Sequence, residues 1–239
     1  MRKNSSKVFC NVISNVVIVS LIVLVFCVGF TFNKLSTAFI QDGCEAIYNG
    51  NKNNSNISLM INVYWGTEFV EPMLEVLEKY NVKATFFVGG CWVAKNDDTF
   101  LKIVMAGHEI GNHGYFHKDH AKLDYEGNRN EISVTHKLVA ELVGCQMNLF
   151  APPSGSFDAN TLKVADELGY KTIMWSKDTI DWRDKDTNLI FSRATKNLQN
   201  GDFILMHPTQ HTLNALSGIL EYAQNNGFSV VTVGENLSI

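Results

Sequence analysis

The stretch from His108 to His120 reads H-E-I-G-N-H-G-Y-F-H-K-D-H and holds four of the chain's seven histidines, directly after a run patterned like a buried strand. Its most useful pair for chemistry is His113 and His117. Two neutral imidazoles at this spacing can converge on one zinc, cobalt, nickel or copper ion from a turn or short helix. A histidine pair alone is equally at home on a solvated loop, so the reading depends on what else the fold brings alongside. A third imidazole, His207, ends an apolar run far downstream, and Asp178 and Asp181 stand in a polar stretch between them.

The elements that would position these residues alternate. Strand-like runs cover Ile57–Val63, Ala84–Val88, Glu109–Asn112, Leu149–Ala151, Thr172–Trp175, Phe203–His207 and Ser229–Val233. Helical patterns between them stop at glycine: Thr99–Ala106 before Gly107, Asn130–Val143 before Gly144, Asn160–Leu168 before Gly169 and Leu189–Asn200 before Gly201. Glycine just past the last turn is the common left-handed helix stop, and helix, glycine, strand in repetition specifies a parallel α/β domain. Periodicity leaves a closed barrel and an open sheet equally open. In either, ligand chemistry belongs at the carboxyl ends of the strands. Tyr64-Trp65-Gly66, His113 with His117, Pro152-Pro153-Ser154-Gly155, Asp178 to Trp182 and His207 all fall at such ends. Phe86, Phe87, Met105, Leu138 and Trp175 read as core, His108 and His136 as structural, His120 and His211 as solvated.

Residues 8–32 carry no charge and are rich in Val, Ile, Leu and Phe, with Arg2, Lys3 and Lys7 before them and Lys34 after. At about 1.5 Å per helical residue such a run crosses a hydrocarbon core of about 30 Å. The expectation is one transmembrane anchor over 8–32, a cytoplasmic basic tail over 1–7 and an extracytoplasmic domain over 57–239, by the positive-inside rule. A cleaved signal peptide is the alternative, disfavoured by the length of the run and the poor cleavage site at Leu35–Phe39. Residues 33–56, rich in Asn and Gly, read as a linker.

A net charge of −4 and a pI near 6.0 provide no electrostatic footprint for nucleic acid. The five cysteines form no C-x-x-C pair, which removes a thiolate metal site, and the three outside the apolar run leave one disulfide open.

The order H-x-x-x-H, P-P-x-G-x-F, D-x-x-D-W, I-L-M-H, from about Ile57 to the end, resembles the polysaccharide deacetylase family, carbohydrate esterase family four. The resemblance implies a distorted (β/α)7-type barrel, here preceded by the transmembrane helix. It also implies removal of acetyl groups from N-acetylated cell-wall or related polysaccharide with a divalent metal, usually zinc, and a cell-wall or sporulation setting. By that resemblance His113 and His117 match the metal ligands, and His207 the acid that protonates the leaving amine. Leu205 matches the acetyl-methyl pocket, Trp182 an aromatic beside the site, and Pro153 and Gly155 the loop that shapes the substrate groove.

The first family motif, F-D-D-G, is here Val63-Tyr64-Trp65-Gly66, and the arginine that opens the proline motif is Ala151. The general base, one metal ligand and the residue that orients the base are therefore replaced together. Two expectations follow. Either hydrolysis persists with Asp178 or Asp181 as substitute catalytic carboxylates, Glu68 as a weaker candidate and Asn62 as a neutral oxygen ligand. Or the domain is a catalytically silent glycan binder or envelope scaffold, with Tyr64 and Trp65 as sugar-stacking surfaces.

Overall fold

In the computed structural model, which describes residues 19–21, 23 and 44–237, the apolar run around Ile57 becomes the central strand of a parallel sheet. This strand, β1 (Asn56–Val63), is buried along nearly its whole length. It pairs in parallel with β2 (Thr85–Val88) and β7 (Phe203–Met206), and its first residues pair with β8 (Ser229–Val230). Beyond β2 lie β3 (Glu109–Asn112), β4 (Leu149–Phe150) and β5 (Lys171–Thr172). Beyond β7 lies β6 (Lys177–Asp178), so the order is β5-β4-β3-β2-β1-β7-β6.

Because side chains alternate along a strand, the sheet feeds two apolar clusters. Ile57, Leu59, Ile61 and Val63 face the larger one with Phe86, Val88, Phe150, Ile204 and Met206. The helices close it from outside: α1 (Thr67–Lys79), α3 (Asp97–Met105), α4 (Tyr125–Val143), α5 (Ala159–Glu167), α6 (Thr187–Thr195) and α7 (Gln210–Asn225), with the short α2 (Gly90–Val93), whereas the last helix, α8 (Val233–Leu237), packs on the other cluster. Met60, Phe87, Leu149, Ala151, Ile173 and Phe203 face the smaller, inner cluster. Helix starts are set by side-chain caps: Asp124 accepts from the Gly127 N–H, Asp158 forms a capping box with Thr161, and Asp186 accepts from the Asn188 and Leu189 N–H groups. At the other end of α4, Gly144 adopts the left-handed conformation expected of a glycine stop.

Several expectations are corrected. Among the described residues the sheet has eight strands, not seven, because the polar pair Lys177–Asp178 also joins it. Among the described residues its path runs from β5 to β6, so the expected distorted barrel takes the form of a distorted parallel half-barrel. The transmembrane helix is not supported: among the described residues no helix is long and apolar enough to cross a membrane. Of residues 8–32 only Val19, Ser20, Leu21 and Val23, all helical, are among those described. The second half of the expected linker is folded into the domain. Ile47 bridges to Ile173, the Gly50 N–H donates to the Gly201 carbonyl and the Asn51 N–H to that of Asn236. Met105 is 84% exposed at the end of α3, so its apolar character does not mark core. Cys91 and Cys145 carry free thiols.

Gly66, between β1 and α1, has φ 73°, and a Cβ there would lie 2.1 Å from the Pro208 carbonyl oxygen. Gly66→Ala is expected to cost at least about 1–2 kcal/mol, the penalty of a left-handed L-residue, before the clash is counted. A lowered urea midpoint with an unchanged slope would show it; an unshifted midpoint would contradict this account.

Candidate active site

Inward positions at the carboxyl ends of neighbouring strands carry the site. Asn62 follows Met60 on β1, Leu205 and His207 follow Phe203 on β7, and His113 follows Gly111 just past β3. All four border a cavity of about 310 Å³. Its aromatic lining is Tyr64, Trp65, Trp175 and Trp182, and Ser154, Asp178 and His117 complete the polar part. Gly111 makes room at the base of this face, since a Cβ there would lie 2.4 Å from the Phe87 ring.

The histidines are fixed by backbone and side-chain partners. His113 Nδ1 lies 2.7 Å from the Ala151 carbonyl, an acceptor only, so Nδ1 carries the proton and Nε2 the lone pair. That Nε2 is buried with no partner. His117 follows a tight reversal, with φ 56°, a strained value for a residue with a side chain. Its ring is stacked under Tyr64, with centroids 3.5 Å apart, and lies 5.0 Å from the His113 ring. The loop carrying both is held by Glu131 of α4, whose buried carboxylate accepts from the Tyr115 and Phe116 N–H groups at 2.9 and 2.7 Å.

His207 belongs to a second unit. Its Nδ1 lies 2.8 Å from Asp181 Oδ1, while Asp181 Oδ2 accepts from the His207 N–H and from Thr212 Oγ1, both at 2.6 Å. Trp65 lies parallel to the His207 ring at 6.0 Å. Asp181 is thus engaged in orienting His207, whereas Asp178 lines the cavity and caps only the Ile180 N–H.

Of the expected site residues, Tyr64, Trp65, His113, His117, Asp178, Trp182, Leu205 and His207 line the cavity together. Asp181, Pro153 and Gly155 do not. Pro153 and Gly155 form the turn that presents Ser154, and Gly155 leaves room for the Trp175 ring, 2.6 Å from where its Cβ would be. Asp184 is bound by Arg183 and Arg193. Trp175, expected in the core, packs on the inner cluster and also faces the cavity. His120, assigned to solvent, is fully buried, with Nδ1 2.7 Å from Asn128 Oδ1. The sequence signal missed here was Glu131 and Asn128, polar residues on the buried stripe of α4.

Burial holds the His113 imidazole well below its ordinary value, with His117 the next cause and the Ala151 contact opposing. Burial likewise lowers His117 and His108 to about 4. Groups with depressed folded values bind fewer protons than the unfolded chain below about pH 6.5, so stability falls as pH drops from there towards 4. The urea midpoint is therefore expected to be lower at pH 5 than at pH 7; an equal or higher midpoint would refute it.

A catalytic zinc centre takes three protein ligands and leaves a position open. The buried lone pair of His113 suits such an ion, but Tyr64 and Trp65 stand where acids would complete the set. Among the described residues no three His, Cys, Asp or Glu side chains gather to hold a metal. The residues present do not fit the resemblance-implied metal.

The polysaccharide deacetylase family model matches residues 49–173, more than half of the chain. The chain belongs to the polysaccharide deacetylase family. This deacetylase-family chain is 39% identical over 191 residues to an uncharacterised protein, YlxY, of Bacillus subtilis, covering 80% of the chain and 60% of that protein. It is 32% identical over 191 residues to a peptidoglycan-N-acetylglucosamine deacetylase of Bacillus cereus, covering 78% of the chain and 70% of the enzyme. Among solved structures it is similar to a pseudoenzyme of carbohydrate esterase family four from Bacillus anthracis. That match has 36% identity and a TM-score of 0.80 over 82% of this chain and 70% of that one. The family is one of hydrolases acting on amide bonds of polysaccharides, and it includes a member described as a pseudoenzyme.

Proposed function

We propose that this domain is a catalytically silent member of its family that binds an amino-sugar polysaccharide of the cell envelope. The observation that carries the reading is the stacking of Tyr64 on His117 at 3.5 Å, beside Trp65 over His207. Both rings come from the motif that should supply the two acids. Amide hydrolysis needs a polarised carbonyl, an activated water and a proton for the leaving nitrogen. His207, oriented by Asp181, retains a geometry suited only to the last. Aromatic rings lining a cleft offer apolar surface with polar edges, which suits the faces of pyranose rings. The pseudoenzyme relative and the peptidoglycan deacetylase relatives support both the silence and the glycan class.

A second reading, residual hydrolysis with a divalent metal, is favoured by Asp178, a carboxylate bordering the same cavity as the intact His207. One measurement separates them. The full-length chain is expected to purify with far less than one zinc per chain and to release no acetate from N-acetylglucosamine oligomers with added zinc, cobalt or nickel. It should nevertheless quench tryptophan fluorescence on binding amino-sugar oligomers. Metal-dependent acetate release that disappears in His113→Ala would establish the hydrolase instead.

A further inference from the structure

The buried cavity atoms that lack a partner are of one kind, while the hydroxyl and indole donors of Tyr64, Ser154, Trp65, Trp175 and Trp182 belong to side chains that are at least partly exposed. Asn62, 3% exposed, and His113, 1% exposed, each leave one buried atom without a partner, Oδ1 and Nε2 respectively. Both are acceptors: His113 Nδ1 donates to the Ala151 carbonyl, which leaves Nε2 with its lone pair. Asp178 adds an acceptor-only carboxylate, of which one oxygen is committed to the Ile180 N–H. Among the described residues no Lys or Arg lines the cavity. The Arg183 guanidinium, 5.8 Å from the centre of the Trp182 ring, is engaged in a two-point contact with Asp184.

Buried acceptors without donors are costly unless a ligand supplies the hydrogens. An acetamido group brings one N–H, a carbonyl that is itself an acceptor, and a methyl. A primary ammonium brings three donors and a positive charge and no acceptor, and aromatic faces and a carboxylate favour a cation. Resting on the glycan-binding reading above, we infer that the cavity recognises the free amino group of a de-N-acetylated glucosamine residue. The domain then reads the product of its enzymatic relatives' chemistry. The amine meets Asn62 Oδ1, His113 Nε2 and Asp178, while Trp182, 56% exposed, offers a ring face for the sugar at the rim.

The test is calorimetric titration of the full-length chain, in EDTA at pH 6, with a glucosamine tetramer and with an N-acetylglucosamine tetramer. The free-amine oligomer is expected to bind at least about tenfold more tightly, the worth of roughly one charge-assisted hydrogen bond. Asp178→Asn keeps an oxygen for the Ile180 N–H and removes the charge; it should bring the two affinities close to parity, with its thermal midpoint reporting that the fold is intact. Trp182→Ala, on the exposed rim, should weaken both oligomers alike. Equal binding, or a preference for the acetylated oligomer, overturns this inference and leaves the glycan-binding reading standing. Binding of neither overturns both, and an amine preference that survives Asp178→Asn unchanged overturns the assignment of the site.

Discussion

Replacing Tyr64 and Trp65 together by aspartate is expected to convert the domain, silent in the reading proposed above, into a zinc-binding hydrolase. Both residues lie at the end of β1, with Tyr64 over His117 and Trp65 over His207. Removing the rings uncovers the imidazoles and supplies the two missing carboxylates at once. His113 and His117 with one acid make a three-ligand set, and the other acid gains the position from which a water can be activated. A positioned base contributes about 10²- to 10⁴-fold, so acetate release from N-acetylglucosamine oligomers should rise from undetectable to readily measured, in step with zinc content near one per chain. The gain should vanish on adding His113→Ala or a chelator. If the double variant folds and still takes up no zinc, the two histidines are not poised for a metal, and the cavity has been remodelled further than the first motif alone.

The parallel architecture and the line of strand ends were legible because periodicity and glycine stops report on local backbone; the stops hold after α3, α4 and α5, whereas α6 ends at Thr195, well before Gly201. Lys177–Asp178 was not, since two polar residues carry no strand pattern and pair only because β7 offers its open edge. The placing of His113, His117 and His207 at strand ends was legible from the pattern, and their separate roles only through the resemblance. Their partners were invisible, because each comes from a distant element: Ala151 from beyond β4, Glu131 from α4, Thr212 from α7. Spacing along the chain encodes a helix or a strand, but not which carbonyl or hydroxyl a ring will meet across a sheet. For the same reason Asp181 read as a spare carboxylate, although it is wholly committed.

On the proposed reading, that commitment explains why a domain without activity would keep catalytic-looking histidines. His113 ties the end of β3 to the chain after β4, and the cluster of Asp181, His207 and Thr212 ties the loop after β6 to the end of β7 and the first turn of α7. Selection for folding alone can preserve such residues. The consequence is that Asp181→Ala should be severely destabilising, whether or not the domain has an activity to lose. The substitution strands three donors, the His207 N–H, His207 Nδ1–H and Thr212 Oγ1–H, around a side chain with no solvent exposure. Leaving buried donors unpaired costs about 1–3 kcal/mol each in the worst case and is not fully additive, so a total of about 3–5 kcal/mol is expected. Asp181→Asn retains an acceptor oxygen and should lose less than half as much. Urea denaturation of the two variants beside the native chain measures the difference. A loss below about 1 kcal/mol for Asp181→Ala, the scale of an ordinary surface substitution, would mean the pair is kept for chemistry after all and would reopen the hydrolase reading.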